Sequence, residues 1–196
     1  MFNITLSSVG TGGIIGIVIV EQVILIIVFW YIGVMNKLRQ LELKVQEAES
    51  GIDVALTKRF DMLTKMLQTT KGYAKHESET LEKVVKWRSG IPKDATLKDK
   101  EEFFNQLNQV AQGINVVVEK YPDLKANTVF MELQSAVANT EEHLQAARRL
   151  FNANVTTINT IIVTFPQSIV ANMIKMTKKA YFEAEEQKRE DVKFDF

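Results

Sequence analysis

Residues 13–35 read GIIGIVIVEQVILIIVFWYIGVM, and this stretch decides the fold of the chain. With 23 residues and a helical rise of about 1.5 Å per residue, it is long enough to cross a bilayer core of about 30 Å. A buried helix of a soluble protein is rarely apolar on every side over such a length. The stretch therefore predicts a transmembrane helix, preceded by a short extracytoplasmic N-terminus at residues 1–12.

A cleaved signal peptide is the alternative for this stretch. Such a peptide would have basic residues before a shorter apolar run. No Lys or Arg precedes the run here, whereas Trp30 and Tyr31 near its end, with Lys37 and Arg39 just beyond, are typical of a membrane exit. Basic residues on the C-terminal side predict a cytoplasmic C-terminal domain and an N-terminus outside. We therefore interpret the stretch as an uncleaved single-pass anchor.

Four residues in or beside the span predict contact between neighbouring spans. An ionised Glu21 facing lipid would cost about 2.5–3.5 kcal/mol or more, so we expect Glu21 or Gln22 to hydrogen-bond across helices. The alternative is that Glu21 snorkels or is protonated without a partner. Gly12 and Gly16 form a small-xxx-small step that permits close approach of helices. These features predict that the chain forms a homo-oligomer. Its other predicted partner is the lipid bilayer.

Composition excludes several classes of function. The 196 residues carry 24 basic and 24 acidic side chains, and this balance argues against a nucleic-acid binder. The absence of cysteine excludes disulfides, thiolate catalysis and thiolate metal sites, and two histidines are too few for a multi-histidine site. Three prolines and nine glycines are too few for the turns of an all-β fold. We expect an all-α protein with no cofactor.

Residues 36–184 show a helical period and are predicted to form a cytoplasmic bundle, followed by a polar tail at residues 185–196. The first helix is predicted to continue the span as one rod that ends near Arg88, because no proline interrupts the chain before Pro92. A coiled-coil stalk is the alternative for its membrane-proximal half. Its predicted buried stripe is Leu38, Leu41, Val45, Ala48, Ile52, Leu56, Phe60, Leu63 and Leu67.

Three further helices are predicted from the same periodicity. The second follows Thr96 and ends at Pro122, the third begins near residues 124–127, and the fourth begins at Pro166. Four amphipathic helices joined by short turns predict an antiparallel four-helix bundle with long helices. Their predicted stripes include Phe103, Leu107, Val110, Ile114, Val117 and Tyr121 on the second helix, Phe130, Leu144, Phe151, Val155, Ile158, Ile162 and Phe165 on the third, and Ile169, Val170, Met173, Ile174 and Tyr181 on the fourth.

Polar residues on or beside these stripes are the candidate site residues of the soluble part. A buried polar group must be paired, so we interpret them as hydrogen-bond partners that fix the register of the helices. A groove for a ligand or a partner protein is the alternative. The set consists of Tyr73, Arg88, Thr140, Arg148, Asn152 and Asn159, of which the two asparagines share a face because they are seven residues apart.

No catalytic signature and no convincing metal site is present in the sequence. His76-Glu77 begins like a zincin motif, but Thr80 stands where the second histidine would be. Glu141, Glu142 and His143 are consecutive, so they point in different directions around a helix. Together with Glu77, Glu79 and Glu82 they are better explained as solvated faces, and we expect no enzymatic activity.

Several motifs in the same order carry a resemblance to a known family. They include KGYAKHE at residues 71–77, YPDLKAN at residues 121–127, Thr140-Glu141, Phe151-Asn152, Phe165-Pro166 and the closing YFEA at residues 181–184. On these motifs the chain resembles the LemA family over residues 14–196. The resemblance implies an N-terminal membrane anchor and a cytoplasmic helical bundle, and it supplies no catalytic residues.

The resemblance also implies a role in membrane organisation, because some relatives are associated with internal membrane formation in magnetosome-bearing bacteria. The chain departs from the family where Phe151 precedes Asn152 and Ile158 precedes Asn159, since tyrosine is usual at both places, and where Thr64 replaces a common proline. We expect a scaffold protein of a bacterial inner membrane that organises membrane or partner proteins. A protein-binding or signalling adaptor facing the cytoplasm, with an unidentified protein partner, is the alternative.

Overall fold

The computed structural model describes residues 11–70, 91–92 and 94–183, and within these ranges the chain is all-α, with no strand. Tyr73, Arg88, the predicted end of the first rod and the polar tail lie outside the described residues. The helices are α1 at Thr11–Thr70, α2 at Leu97–Lys120, α3 at Pro122–Lys125, α4 at Thr128–Val163 and α5 at Gln167–Met173.

Helix α1 is one uninterrupted helix of 60 residues whose first part is apolar and exposed. Every side chain from residue 12 to residue 30 is exposed, and Val34 is the first that is buried. Length and composition make this helix capable of crossing a membrane, and no residue of its most apolar window is buried. The prediction of a long apolar N-terminal helix is confirmed, and the helix is consistent with single-pass membrane anchoring.

The buried stripe of α1 follows the prediction as far as Leu56 and again at Leu63, but it differs from the prediction by one position at two other places. Arg59 and Met66 are buried, whereas the predicted Phe60 and Leu67 are only half-buried. The predicted stripe advances about 3.6 residues per step from Leu38 to Leu67, as a straight α-helix does, whereas the buried positions from Leu38 to Met66 advance about 3.5 residues per step. The regular spacing of the buried positions leads to Arg59 and not to Phe60, so a charged side chain enters the core in place of an aromatic one.

Helix α2 begins directly after Thr96, as predicted. The Thr96 side chain accepts a hydrogen bond from the Asp99 backbone N–H, and the Asp99 carboxylate accepts one from the Thr96 backbone N–H. This reciprocal capping box satisfies two N–H groups that the helix itself leaves unpaired. The predicted stripe from Phe103 to Val117 is buried, but the predicted Tyr121 is exposed. At the start of the helix, Lys100 is buried although it was not predicted to be.

Helix α4 begins after the short helix α3 and ends three residues before Pro166. The Asn127 side chain accepts a hydrogen bond from the Phe130 backbone N–H and so caps the start of α4. Phe165 was predicted to continue the stripe of this helix, but that prediction is wrong. Phe165 lies beyond the end of the helix and is 77% exposed.

The predicted fourth long helix is wrong, because α5 has only seven residues. Lys175 adopts the left-handed conformation with φ 55°, and the Met176 backbone N–H donates to the Ala171 carbonyl at 2.9 Å. This is the Schellman arrangement that ends a helix. The chain beyond it is not helical as far as Glu183. Ile169 and Met173, predicted to be buried, are exposed, whereas Val170 is buried as predicted.

The chain divides into two compact units, and both α1 and α4 contribute to each. The first unit takes in residues up to Leu43 together with Thr157–Lys179, and its core includes Leu38, Ile158 and Val170. The second unit takes in Lys44–Thr156 and the chain from Ala180 onward. Its largest fully buried side chains are Ile52, Leu56, Leu63, Phe103, Leu107, Ile114, Leu124, Phe130, Leu144 and Phe182.

Candidate functional site

The predicted self-association residues lie on the exposed part of α1. Glu21 and Gln22 are both exposed. A side chain placed at Gly12 or Gly16 would have no neighbouring atom within 4 Å. All four residues are therefore accessible to lipid or to another protein chain, and association through them stays a prediction.

Two arginines and two phenylalanine rings form a cluster in the core of the second unit. The Arg148 guanidinium lies 4.6 Å from the centre of the Phe104 ring and 5.0 Å from that of Phe182. The Arg59 guanidinium lies 5.6 Å from the same Phe104 ring, and the two rings meet edge-on at 6.2 Å. We call Arg59, Phe104, Glu141, Arg148 and Phe182 the arginine cluster. It joins α1, α2, α4 and the chain after α5.

Glu141 supplies the negative charge of the arginine cluster. Its Oε2 lies 2.8 Å from Nη2 of Arg59, and the two groups meet as an ion pair without the angles of a good hydrogen bond. The Arg59 side chain is only 5% exposed, whereas that of Glu141 is 34% exposed. Nε and Nη1 of Arg59 and Nε of Arg148 have no hydrogen-bond partner among the described residues. The positive charge is therefore enclosed more completely than its counter-charge.

Burial dominates the electrostatics of the two arginines. It lowers the pKa of Arg59, an effect that Glu141 opposes and the nearby Arg148 reinforces. Burial likewise lowers the pKa of Arg148, against the attraction of Glu141 and Glu101. An arginine nevertheless stays charged in proteins. The arginine cluster is therefore a buried positive centre that depends on Glu141 and on the aromatic faces.

A second buried cation, Lys100, joins α2 to α1 in the same unit. Its Nζ lies 2.8 Å from a carboxylate oxygen of Glu49 and 2.8 Å from one of Asp53. Burial alone would lower the pKa of Lys100, but the hydrogen bonds with Asp53 and Glu49 outweigh it and raise the pKa. This triad fixes the start of α2 against α1.

Asn159 and Asn152 both bind the backbone of the non-helical chain after α5. In the first unit, Asn159 Nδ2 donates to the Lys179 carbonyl at 2.9 Å, and its Oδ1 accepts from the Lys179 N–H at 2.8 Å. In the second unit, Asn152 makes the same pair of bonds with Phe182, at 3.0 and 2.9 Å. Each side-chain amide therefore pairs the backbone N–H and carbonyl of one residue, which in a helix would bond to other backbone groups. The partners of the two asparagines are therefore this chain segment and not a neighbouring helix.

Replacing Asn152 by Asp should detach the chain around Phe182. The carboxylate keeps an acceptor for the Phe182 N–H but loses the donor to the Phe182 carbonyl, which then faces a negative charge. Leaving a buried acceptor unpaired costs about 1–3 kcal/mol. We expect a loss of that size in urea unfolding of the full-length protein in mild detergent, together with faster hydrogen exchange at the Phe182 amide.

The matched control is Asn139→Asp, because Asn139 is exposed and also lies on α4. We expect it to change stability by less than about 0.5 kcal/mol. Equal effects of the two substitutions would show that the pairing of Asn152 with Phe182 contributes nothing specific.

The remaining predicted polar residue, Thr140, is buried and donates its hydroxyl hydrogen to the Val137 carbonyl at 2.7 Å. It lines a groove of about 390 Å³ in the second unit, with Lys58 and Met62 on α1 and Glu132, Ser135, Ala136 and Asn139 on α4. Within the described ranges, no group of three or more His, Asp or Glu side chains is placed to hold a metal ion.

Comparison with known proteins identifies relatives of this chain. The profile of the LemA family matches residues 48–196. The chain is also similar to Protein LemA of Metamycoplasma hominis, with 32% identity over 165 residues that cover 84% of this chain and 75% of the relative. Neither name refers to a reaction, a ligand or a partner.

Proposed function

The chain belongs to the LemA family, and from that premise we propose that it is a membrane-anchored structural protein that self-associates and organises membrane or partner proteins. In this proposal α1 crosses a bacterial inner membrane once. The N-terminus lies outside, and the remaining helices form an antiparallel bundle in the cytoplasm.

The single observation that carries this proposal is the exposure of the apolar part of α1. All side chains at residues 12–30 are exposed, and Glu21 is the only ionisable residue in that range. Apolar patches on soluble monomers rarely exceed a few hundred Å². A helix that is apolar on every side matches a lipid environment, in which each backbone polar group must be paired within the segment.

Self-association is supported by Glu21, because a carboxyl group in the apolar span needs a polar neighbour. Hydrogen bonds between spans contribute about 1–2 kcal/mol in model peptides. We therefore expect Glu21→Leu to weaken the oligomer about tenfold. Light scattering of the full-length protein in mild detergent would measure this as a shift toward the monomer.

The control for Glu21→Leu is Val28→Leu, which changes an exposed apolar residue of the same helix without removing a polar group. It should leave the measured mass unchanged. A wild-type protein that is monomeric at all concentrations, or a mass that Glu21→Leu does not alter, would contradict self-association through the span.

An adaptor that binds a cytoplasmic protein is the second candidate function. The specific observation in its favour is the groove of about 390 Å³ between α1 and α4 that Lys58, Glu132 and Asn139 line. A Glu21→Leu variant that becomes monomeric separates the two functions. As a monomer, an adaptor would still bind its partner protein, whereas a scaffold would no longer assemble.

A further inference from the structure

The turn between α4 and α5 exposes large apolar side chains in the first unit. We call residues 163–173 the α4–α5 corner. Phe165 is 77%, Met173 64%, Val163 54% and Ile169 49% exposed. Ile169 and Met173 are four residues apart on α5, so they share one face of that helix. Single exposed apolar residues are ordinary, but a contiguous group of them marks a surface that contacts another protein or a membrane.

The α4–α5 corner lies beside the end of the exposed span. In the first unit a groove of about 250 Å³ is lined by four residues of α1, by one residue of α4 just before the corner and by one residue of the corner itself. Trp30 is among them, and tryptophan is enriched at membrane–water interfaces. The lining residues are Trp30, Gly33, Val34, Lys37, Ile161 and Gln167.

The contacts of α4 in the first unit also show that its C-terminal end approaches the span. Asn159 binds the backbone of Lys179, whose Nζ lies 2.8 Å from the Glu42 carboxylate. Two residues further along α4, Ile161 lines the groove with Lys37 and Trp30, which precede Glu42 on α1. Helix α4 therefore ends toward the apolar part of α1, and the α4–α5 corner lies at that end.

The sequence on either side of the α4–α5 corner carries charge of one sign. The chain contains no Asp or Glu from His143 to Phe182. Lys175 and Lys178 follow the corner directly, Lys37 lies on the groove, and all three are exposed. Basic side chains next to an apolar surface are typical of segments that lie in the headgroup region of anionic lipids.

We propose that the α4–α5 corner is a second membrane contact. Phe165, Ile169 and Met173 enter the boundary between headgroups and acyl chains of an anionic leaflet, and Lys175 and Lys178 face its headgroups. The occupant is lipid because the corner continues the surface on which α1 leaves the bilayer. This inference rests on the membrane anchoring proposed above, and it adds a contact that holds the helical part against the bilayer surface.

The test uses full-length protein in vesicles of phosphatidylglycerol and phosphatidylcholine. The chain has no cysteine, so a single fluorescent label can be attached to a Phe165→Cys variant. Nitroxide-bearing lipids with the quencher near the headgroup report contact with the interface. Phe29→Cys serves as a probe of the span, and Leu150→Cys is the matched control on α4. Both positions are exposed, and Leu150 lies 13 residues before the end of α4, or about 20 Å along its axis.

We expect loss of fluorescence from the labels at Phe29 and Phe165 and none from the label at Leu150. If the label at Phe29 is quenched and the label at Phe165 is not, the second contact is wrong and the anchor stands. If neither label is quenched, the anchor itself is wrong. Blue-shifted emission at Phe165 without quenching by lipid would show that protein, such as a second copy of the chain, covers the corner, and would overturn the proposal. Circular dichroism of each labelled variant verifies that it is folded.

Discussion

Phe104→Ala should destabilise the protein by about 3–5 kcal/mol, which is the usual cost of emptying the site of a buried phenylalanine. Phe104 is buried and its ring lies against both arginine side chains of the arginine cluster and against Phe182. The substitution therefore leaves a cavity and also removes an aromatic face from the buried Arg59 and the half-buried Arg148. Urea unfolding of the full-length protein in mild detergent, followed by circular dichroism, measures the loss.

Phe104→Leu separates the two contributions, because it keeps most of the apolar volume and removes only the aromatic face. A contact between a cation and an aromatic face is worth about 0.5–2 kcal/mol, so we expect this variant to lose about that much. A double-mutant cycle with Arg148→Met isolates the coupling of the ring to the guanidinium. If the ring and the guanidinium show no coupling, Phe104 stabilises the core only through its apolar volume.

Glu141→Ala should cost about 3 kcal/mol, because it leaves the buried Arg59 guanidinium without its counter-charge. This is the lower end of the range for buried ion pairs, since the Glu141 side chain is 34% exposed. The neighbouring Glu142→Ala is the control. Glu142 is exposed, and its loss should change stability by less than about 0.5 kcal/mol.

Adding Arg59→Met to Glu141→Ala should restore most of the lost stability, because an apolar side chain of similar length needs no partner in the core. Arg59→Met alone should cost less than Glu141→Ala alone, since water can reach the carboxylate that remains. If Arg59→Met alone lost more stability than Glu141→Ala alone, Arg59 would stabilise the core by packing and not through its charge.

Local signals in the sequence predicted much of the fold. The start of α2 after Thr96 was predicted, and the capping box of Thr96 and Asp99, whose partners lie within one helical turn, accounts for it. The first part of α1 was predicted because its apolar residues are consecutive in the sequence. The α5 helix was predicted too long because no glycine or proline marks its end. Lys175 takes the left-handed conformation there, and Asn159 binds the backbone of the chain that follows.

The candidate site was predicted in part. Asn152 and Asn159 were chosen because buried polar groups need partners, but periodicity could not show that those partners lie on a non-helical segment. Arg59 was missed because it is charged, so the stripe was drawn through the apolar Phe60 beside it, although a strict seven-residue repeat from Leu38 leads to Arg59. Lys100 was missed because its carboxylate partners are 47 and 51 residues away in the chain. Contacts at such separations leave no local pattern in a single sequence.

The continuity of α1 through the exposed span constrains how copies of the chain could meet. Successive residues of an α-helix are rotated by about 100°, so Gly12 and Gly16 lie about 140–180° around the axis from Glu21. The glycines and the carboxyl group are therefore on opposite sides of one rod, and a two-fold pair cannot use both surfaces between the same two helices. Where the glycine side of one helix meets the Glu21 side of the next, unlike surfaces join head to tail, and such joints close into a ring or continue as a filament.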